Sequence, residues 1–140
     1  RHTSNPWWHG KPMRPLPPLR VIMHGITASP HLSDLAGHLA ESTLGYYLGT
    51  IPGLNINWFP ERSPEPEVDF VITIGDYRIP IEVKYRQRID PHRDTKALRA
   101  FIEKTVYNAP FGILVTLTDD VSIPDPRIVS LPLSSVLLMR

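Results

Sequence analysis

The sequence of 140 residues contains no cysteine, which excludes disulfide bonds and thiolate metal sites. No apolar stretch approaches the ~18 residues that a membrane-spanning helix needs, and no secretory leader opens the chain. We therefore expect a cytoplasmic protein without a membrane partner. No Gly-x-x-x-x-Gly-Lys-Ser/Thr motif occurs, so this chain has no P-loop for ATP. The net charge of +1 argues neither for nor against nucleic acid binding.

The length and the distribution of proline predict an arm followed by one domain. Residues 1–20 are rich in proline and contain Trp7 and Trp8. Because proline fixes φ and removes a backbone donor, we expect an extended arm or linker there. Residues 21–140 are long enough to form one domain with its own hydrophobic core. Since the chain begins with Arg1 rather than Met, we expect it to be part of a longer protein.

Hydrophobic periodicity and turn residues divide residues 21–140 into helices and strands. An apolar stripe that includes Leu32, Leu39 and Tyr47 predicts the first helix, and Asp94 is the expected cap of the second. The predicted helices are 31–48 and 94–104, and the predicted strands are 57–60, 67–74, 78–86, 111–117 and 127–131. Residues 132–139 are compatible with a terminal helical turn, which their periodicity does not decide.

Two of these strands form a hairpin that brings two acidic side chains together. Gly75-Asp76 is a good type II′ turn, which places Ile74 opposite Tyr77 and Asp69 opposite Glu82. At about 5 Å and an effective dielectric constant of about 20, two carboxylates repel each other by roughly 3 kcal/mol. A divalent cation such as Mg²⁺ would offset that repulsion, and Lys84 lies on the same face of the strand. The alternative is a solvated hairpin face on which Glu82 and Lys84 form a surface ion pair.

The segment EVDFVITIGDYRIPIEVK (67–84), preceded by GHLAE (37–41), resembles the restriction-endonuclease-like superfamily with its Asp…Glu-x-Lys signature. More narrowly, it is similar to the nuclease-like C-terminal domain, of unknown function, of prokaryotic AAA-type ATPases. The resemblance covers roughly residues 20 to 138. It implies an α/β fold with a restriction-endonuclease-like core, in which helices flank a central mixed β-sheet of about four to five strands.

The resemblance also implies the residues of a metal site and the chemistry that they support. Asp69, Glu82 and Lys84 would be catalytic, and Mg²⁺ or Mn²⁺ would be held by the carboxylates of Glu41, Asp69 and Glu82 and the backbone carbonyl of Val83. The expected activity is hydrolysis of DNA phosphodiester bonds, with the ATPase domain upstream in the same polypeptide.

A run of basic residues follows the hairpin and could contact DNA phosphates, although a solvated helix face explains it equally well. The candidate contacts are Arg86, Arg88, Arg93, Lys96 and Arg99.

Several alternatives stay open. The domain could be a non-catalytic module that binds DNA or a partner for the ATPase, or a structural domain that forms a homo-oligomer. His31 and His38 could share a helix face but lack a third zinc ligand. Asp119-Asp120 is better explained by a turn than by a metal site.

Overall fold

The computed structural model describes residues 32–59 and 67–139, so the predicted arm at 1–20 lies outside the described residues. Each helix and strand predicted from the sequence is present, with small shifts at its ends. The elements in chain order are α1 (Leu32–Gly49), β1 (Asn55–Phe59), β2 (Val68–Ile74), β3 (Tyr77–Lys84), α2 (Lys96–Ile102), a 3₁₀ turn (Thr105–Tyr107), β4 (Gly112–Thr116), β5 (Ile128–Pro132) and α3 (Leu133–Leu138).

The five strands form one mixed sheet in the order β1-β2-β3-β4-β5. The pairs β1–β2 and β2–β3 are antiparallel, whereas β3–β4 and β4–β5 are parallel. Because β3, β4 and β5 run in the same direction, their carboxyl ends lie at one end of the sheet. Helices pack on both faces, which confirms the predicted α/β class with a central mixed sheet flanked by helices.

The β2–β3 hairpin has the register that its turn residues predict. Ile74 lies opposite Tyr77, and the pairing continues to Phe70 opposite Ile81. Gly75 has a φ of +58°, whereas Asp76 is not among the residues with positive φ. A type II′ turn requires positive φ at its first central position, which glycine adopts without strain.

Two hydrophobic clusters hold the helices against the sheet. On one face, α1 and α3 pack against alternate residues of β2, β3 and β4, whereas α2 packs on the other face. The first cluster contains Ala40, Leu44, Leu48, Phe70, Ile81, Val83, Val115 and Leu133. The second contains Val68, Val71, Leu98, Phe101, Leu114 and Ile128.

Two details of the helices differ from the sequence-based expectation. The buried line of α1 runs through Ala40, Leu44 and Leu48, with Tyr47 of the predicted stripe packed against it. Leu32, also predicted in that stripe, is exposed instead. Asp94 does not cap α2, because the residue before the helix is Thr95, which makes no capping side-chain bond. Asp94 is buried and binds arginine instead.

None of the described helices is long and apolar enough to cross a membrane.

Candidate metal and catalytic site

A β-bulge between Val68 and Val71 shapes the first half of the site. Val71 lies opposite Asn57 and Val68 lies opposite Phe59, so β2 has one residue more than β1 over this interval. Val68 accordingly packs in the same cluster as Val71, whereas strict alternation would place it with Phe70. Bulges bend a strand and re-aim its side chains. Asp69 lies inside this bulge, so the regular alternation of side chains between the two faces of the sheet is interrupted at Asp69.

The carboxylate of Asp69 is bound to the backbone of the neighbouring strand. Its Oδ2 accepts a hydrogen bond of 2.7 Å from the backbone N–H of Val83. Within the described residues, the regular pairing of β2 with β3 ends at Phe70 and Ile81. The Asp69 side chain thus provides an acceptor for a β3 donor just beyond the last regular backbone pair.

Glu82 and Lys84 form the second half of the site, on the face of the sheet that α2 covers. Ile81 and Val83 pack towards α1, and side chains alternate along a strand. Glu82 is only 6% exposed, and its Oε1 accepts a hydrogen bond from Lys84 Nζ. Its other oxygen, Oε2, is buried and has no hydrogen-bond partner among the described residues. A buried carboxylate oxygen without a partner is costly, and a cation would compensate for it.

The three side chains perturb each other's protonation. Burial, reinforced by the negative charge of Glu82, raises the pKa of Asp69 to about 8, although the Val83 N–H opposes the shift. Burial likewise raises the pKa of Glu82 against the opposing effect of Lys84. Burial acts to lower the pKa of Lys84, but the nearby Glu82 raises it above its ordinary value. The site therefore favours additional positive charge.

Glu41 approaches the site from α1, on the opposite face from Glu82. Its charge contributes to the raised pKa of Asp69, so the two carboxylates interact electrostatically. Across residues 32–59 and 67–139, no three His, Cys, Asp or Glu side chains are arranged closely enough to hold a metal ion. The structure thus brings Asp69, Glu82 and Lys84 together, and Glu41 interacts with Asp69 through its charge. The ligand roles of Glu41 and of the Val83 carbonyl remain predictions.

The donor set fits Mg²⁺ or Mn²⁺. Hard divalent cations prefer carboxylate oxygens, and Mg²⁺ is commonly held by one or two carboxylates while it retains several waters. Asp69 and Glu82 supply two carboxylates, and Glu82 Oε2 is the unpartnered oxygen that such an ion would satisfy.

The predicted phosphate contacts fall into two groups. Three of them are engaged within the protein: Arg86 and Arg93 bind Asp94, and Arg99 donates to the ring and the carbonyl of His92. Arg88 and Lys96 are exposed, and the described part of the chain gives their side chains no hydrogen bond or ion pair. Sequence reasoning missed the role of Asp94, although an acidic residue within a basic run was a signal for an internal ion pair.

The remaining candidates have structural explanations. Asp119 and Asp120 are exposed after β4, and Asp120 accepts a hydrogen bond from the Thr118 hydroxyl, as expected of a turn. His38 is exposed on α1, and His31 lies outside the described residues.

Comparison with known proteins identifies the family. Residues 40–136 match the model of a domain of unknown function (DUF4143). No curated protein and no solved structure matches the chain. The matched range covers most of the sequence and includes Glu41, Asp69, Glu82 and Lys84. The chain therefore belongs to the DUF4143 family.

Proposed function

We propose that this member of the DUF4143 family is a restriction-endonuclease-like nuclease that hydrolyses DNA phosphodiester bonds with Mg²⁺ or Mn²⁺. We further propose that it is the cytoplasmic C-terminal domain of an AAA-type ATPase. The observation that supports catalysis is the buried, unpartnered Oε2 of Glu82, which lies beside a second carboxylate and a lysine.

Each residue of the site has a defined task in this proposal. Asp69 and Glu82 would hold the divalent cation, which would supply Lewis-acid chemistry for phosphodiester hydrolysis. Lys84 keeps its proton, because neighbouring carboxylates raise its pKa. Its ammonium group therefore acts as an electrostatic stabiliser of the negative charge that develops on the phosphate during hydrolysis. The Val83 N–H orients the Asp69 carboxylate.

A second function has specific support. In the described residues no three potential ligands are gathered, and Lys84 already compensates part of the charge of Glu82. A site that is partly neutralised by its own lysine also suits a non-catalytic module that binds DNA or a partner of the ATPase.

A nicking assay distinguishes the two functions. Supercoiled plasmid is incubated with Mg²⁺ or Mn²⁺ and, in separate samples, with the parent protein, Glu82→Gln, Lys84→Met or Asp119→Asn. The last variant is a control, because Asp119 lies in an exposed turn. We expect the parent and the control to nick the plasmid and the two site variants to lose the activity. DNA binding without nicking by any protein would favour the accessory module. Equal nicking by all four would reveal a contaminating nuclease and leave the proposed site without support.

A further inference from the structure

A buried carboxylate connects the end of β3 with the start of α2. Asp94 is 6% exposed and accepts from three donors: Arg86 Nη2 at 2.5 Å, the backbone N–H of Asp90 at 2.9 Å and Arg93 Nε at 3.4 Å. A buried charge is stable only when it is paired and hydrogen-bonded, as this one is. Asp94 is therefore a fixed anchor for the guanidinium of Arg86.

This anchor lies directly beside the proposed catalytic lysine. The backbone N–H of Arg86 donates to the carbonyl of Lys84 at 3.0 Å, so the chain turns tightly as soon as β3 ends. The Arg86–Asp94 pair thus borders the Asp69–Glu82–Lys84 site.

Arg86 has donors left for a ligand. A guanidinium carries five N–H donors in a rigid planar fork, and among the described residues only Nη2 of Arg86 has a partner. The side chain is 42% exposed. An arginine that is already held in place loses less conformational freedom when it binds, and its fork matches two oxygens of a phosphate.

We propose that Arg86, oriented by Asp94, binds a phosphate of the DNA backbone next to the phosphodiester that is hydrolysed. This inference rests on the proposed nuclease function. Arg86 contacts the substrate, and Asp94 is a positioning residue that acts through Arg86. Arg88 and Lys96 supply general attraction to the DNA polyanion without a fixed orientation.

The chain offers a matched control pair at the other end of the sheet. Arg127 is also 42% exposed, and its Nη2 lies 2.7 Å from Asp125. It directly precedes β5 at the amino end of that strand, whereas Lys84 and Arg86 lie at the carboxyl end of β3. The corresponding substitutions in this pair have the same effect on net charge and also disturb an Arg–Asp ion pair, but they should leave a phosphate next to Lys84 unaffected.

The test measures affinity for a fluorescent DNA duplex by anisotropy, with Ca²⁺ in place of Mg²⁺, and nicking of plasmid with Mg²⁺. The proteins are the parent, Arg86→Lys, Asp94→Asn, Arg127→Lys and Asp125→Asn, each checked for folding by urea denaturation. We expect Arg86→Lys to bind about tenfold more weakly, because one charge-assisted contact is lost. Asp94→Asn should also bind more weakly, although removal of a negative charge would by itself strengthen DNA binding. The two control variants should not weaken binding.

The outcomes separate this inference from the nuclease proposal. If the parent binds DNA with the expected dependence on Arg86 and Asp94 but does not nick it, the phosphate site is supported and the proposed nuclease activity is contradicted. If the parent nicks DNA and Arg86→Lys binds and nicks equally well, the phosphate site is overturned and the nuclease stands. Tighter binding by Asp94→Asn would also overturn the positioning role. A parent that neither binds nor nicks DNA contradicts both proposals.

Discussion

Replacement of Asp69 with asparagine should stabilise the metal-free protein, and the gain should grow with pH. Burial and the charge of Glu82 raise the pKa of Asp69 from 3.8 to about 8. Between these values the folded state holds a proton that the unfolded chain has released. The parent therefore loses stability as the pH rises from about 4 to about 8, and the loss is complete above that range. Asparagine has no such proton, and its amide oxygen can still accept the Val83 N–H.

The size of this loss of stability follows from the pKa shift of Asp69. One pKa unit corresponds to about 1.4 kcal/mol, so between about pH 5.5 and about pH 8 the parent loses at most about 3 kcal/mol through this group. Asp69 is half-buried and titrates together with Glu82, which reduces the expected difference to about 1–2 kcal/mol.

Urea unfolding in EDTA at about pH 5.5 and about pH 8 measures this difference in the free energy of unfolding directly. The parent, Asp69→Asn and Asp119→Asn are compared, the last as a control on an exposed turn. The free energy of unfolding of Asp69→Asn should exceed that of the parent by a larger margin at the higher pH, while the control follows the parent. A margin that is constant with pH, or that shrinks as the pH rises, would refute the reasoning.

Three further substitutions test the fold and the ion pair by equilibrium unfolding. Lys84→Met removes the partner of the buried Glu82 and should destabilise the protein by about 2 kcal/mol near pH 8. The loss should be smaller near pH 5, because burial raises the pKa of Glu82 and a lower pH favours its protonated, uncharged form. An equal loss at both pH values would contradict the pairing. Gly75→Ala should cost about 1 kcal/mol from its positive φ alone, since no atom lies within 4 Å of the added Cβ; a stabilised variant would contradict the turn assignment. Leu98→Ala empties a fully buried position on α2 and should cost about 2–5 kcal/mol, and a loss below about 1 kcal/mol would mean that α2 does not pack as described.

The sequence predicted the features that depend on local patterns. The Gly75-Asp76 turn fixed the hairpin register, and the apolar run after Phe111 identified a central strand. Alternation along β3 likewise predicts that Ile81 and Val83 share one face, and both pack in the first cluster. These predictions succeeded because turn chemistry and period-two alternation are readable from neighbouring residues.

Features that depend on distant partners could not be predicted in the same way. The bulge at Asp69 arises from the pairing of β2 with β1, and no residue of the motif itself marks an extra residue. The local pattern made Asp94 a plausible helix cap, but the position of Arg86 in space made it the anchor of an ion pair. The approach of Glu41 from the opposite face likewise depends on how α1 packs against the sheet.

Calorimetric titration with Mg²⁺ and Mn²⁺ tests the central claim most directly. The account predicts that a divalent ion binds and releases a proton near neutral pH, because Asp69 must lose its proton to act as a ligand. Glu82→Gln should weaken binding by about tenfold or more, in line with the loss of a charged ligand. Undiminished binding by Glu82→Gln, or no binding by the parent, would contradict the claim that these two carboxylates form a metal site.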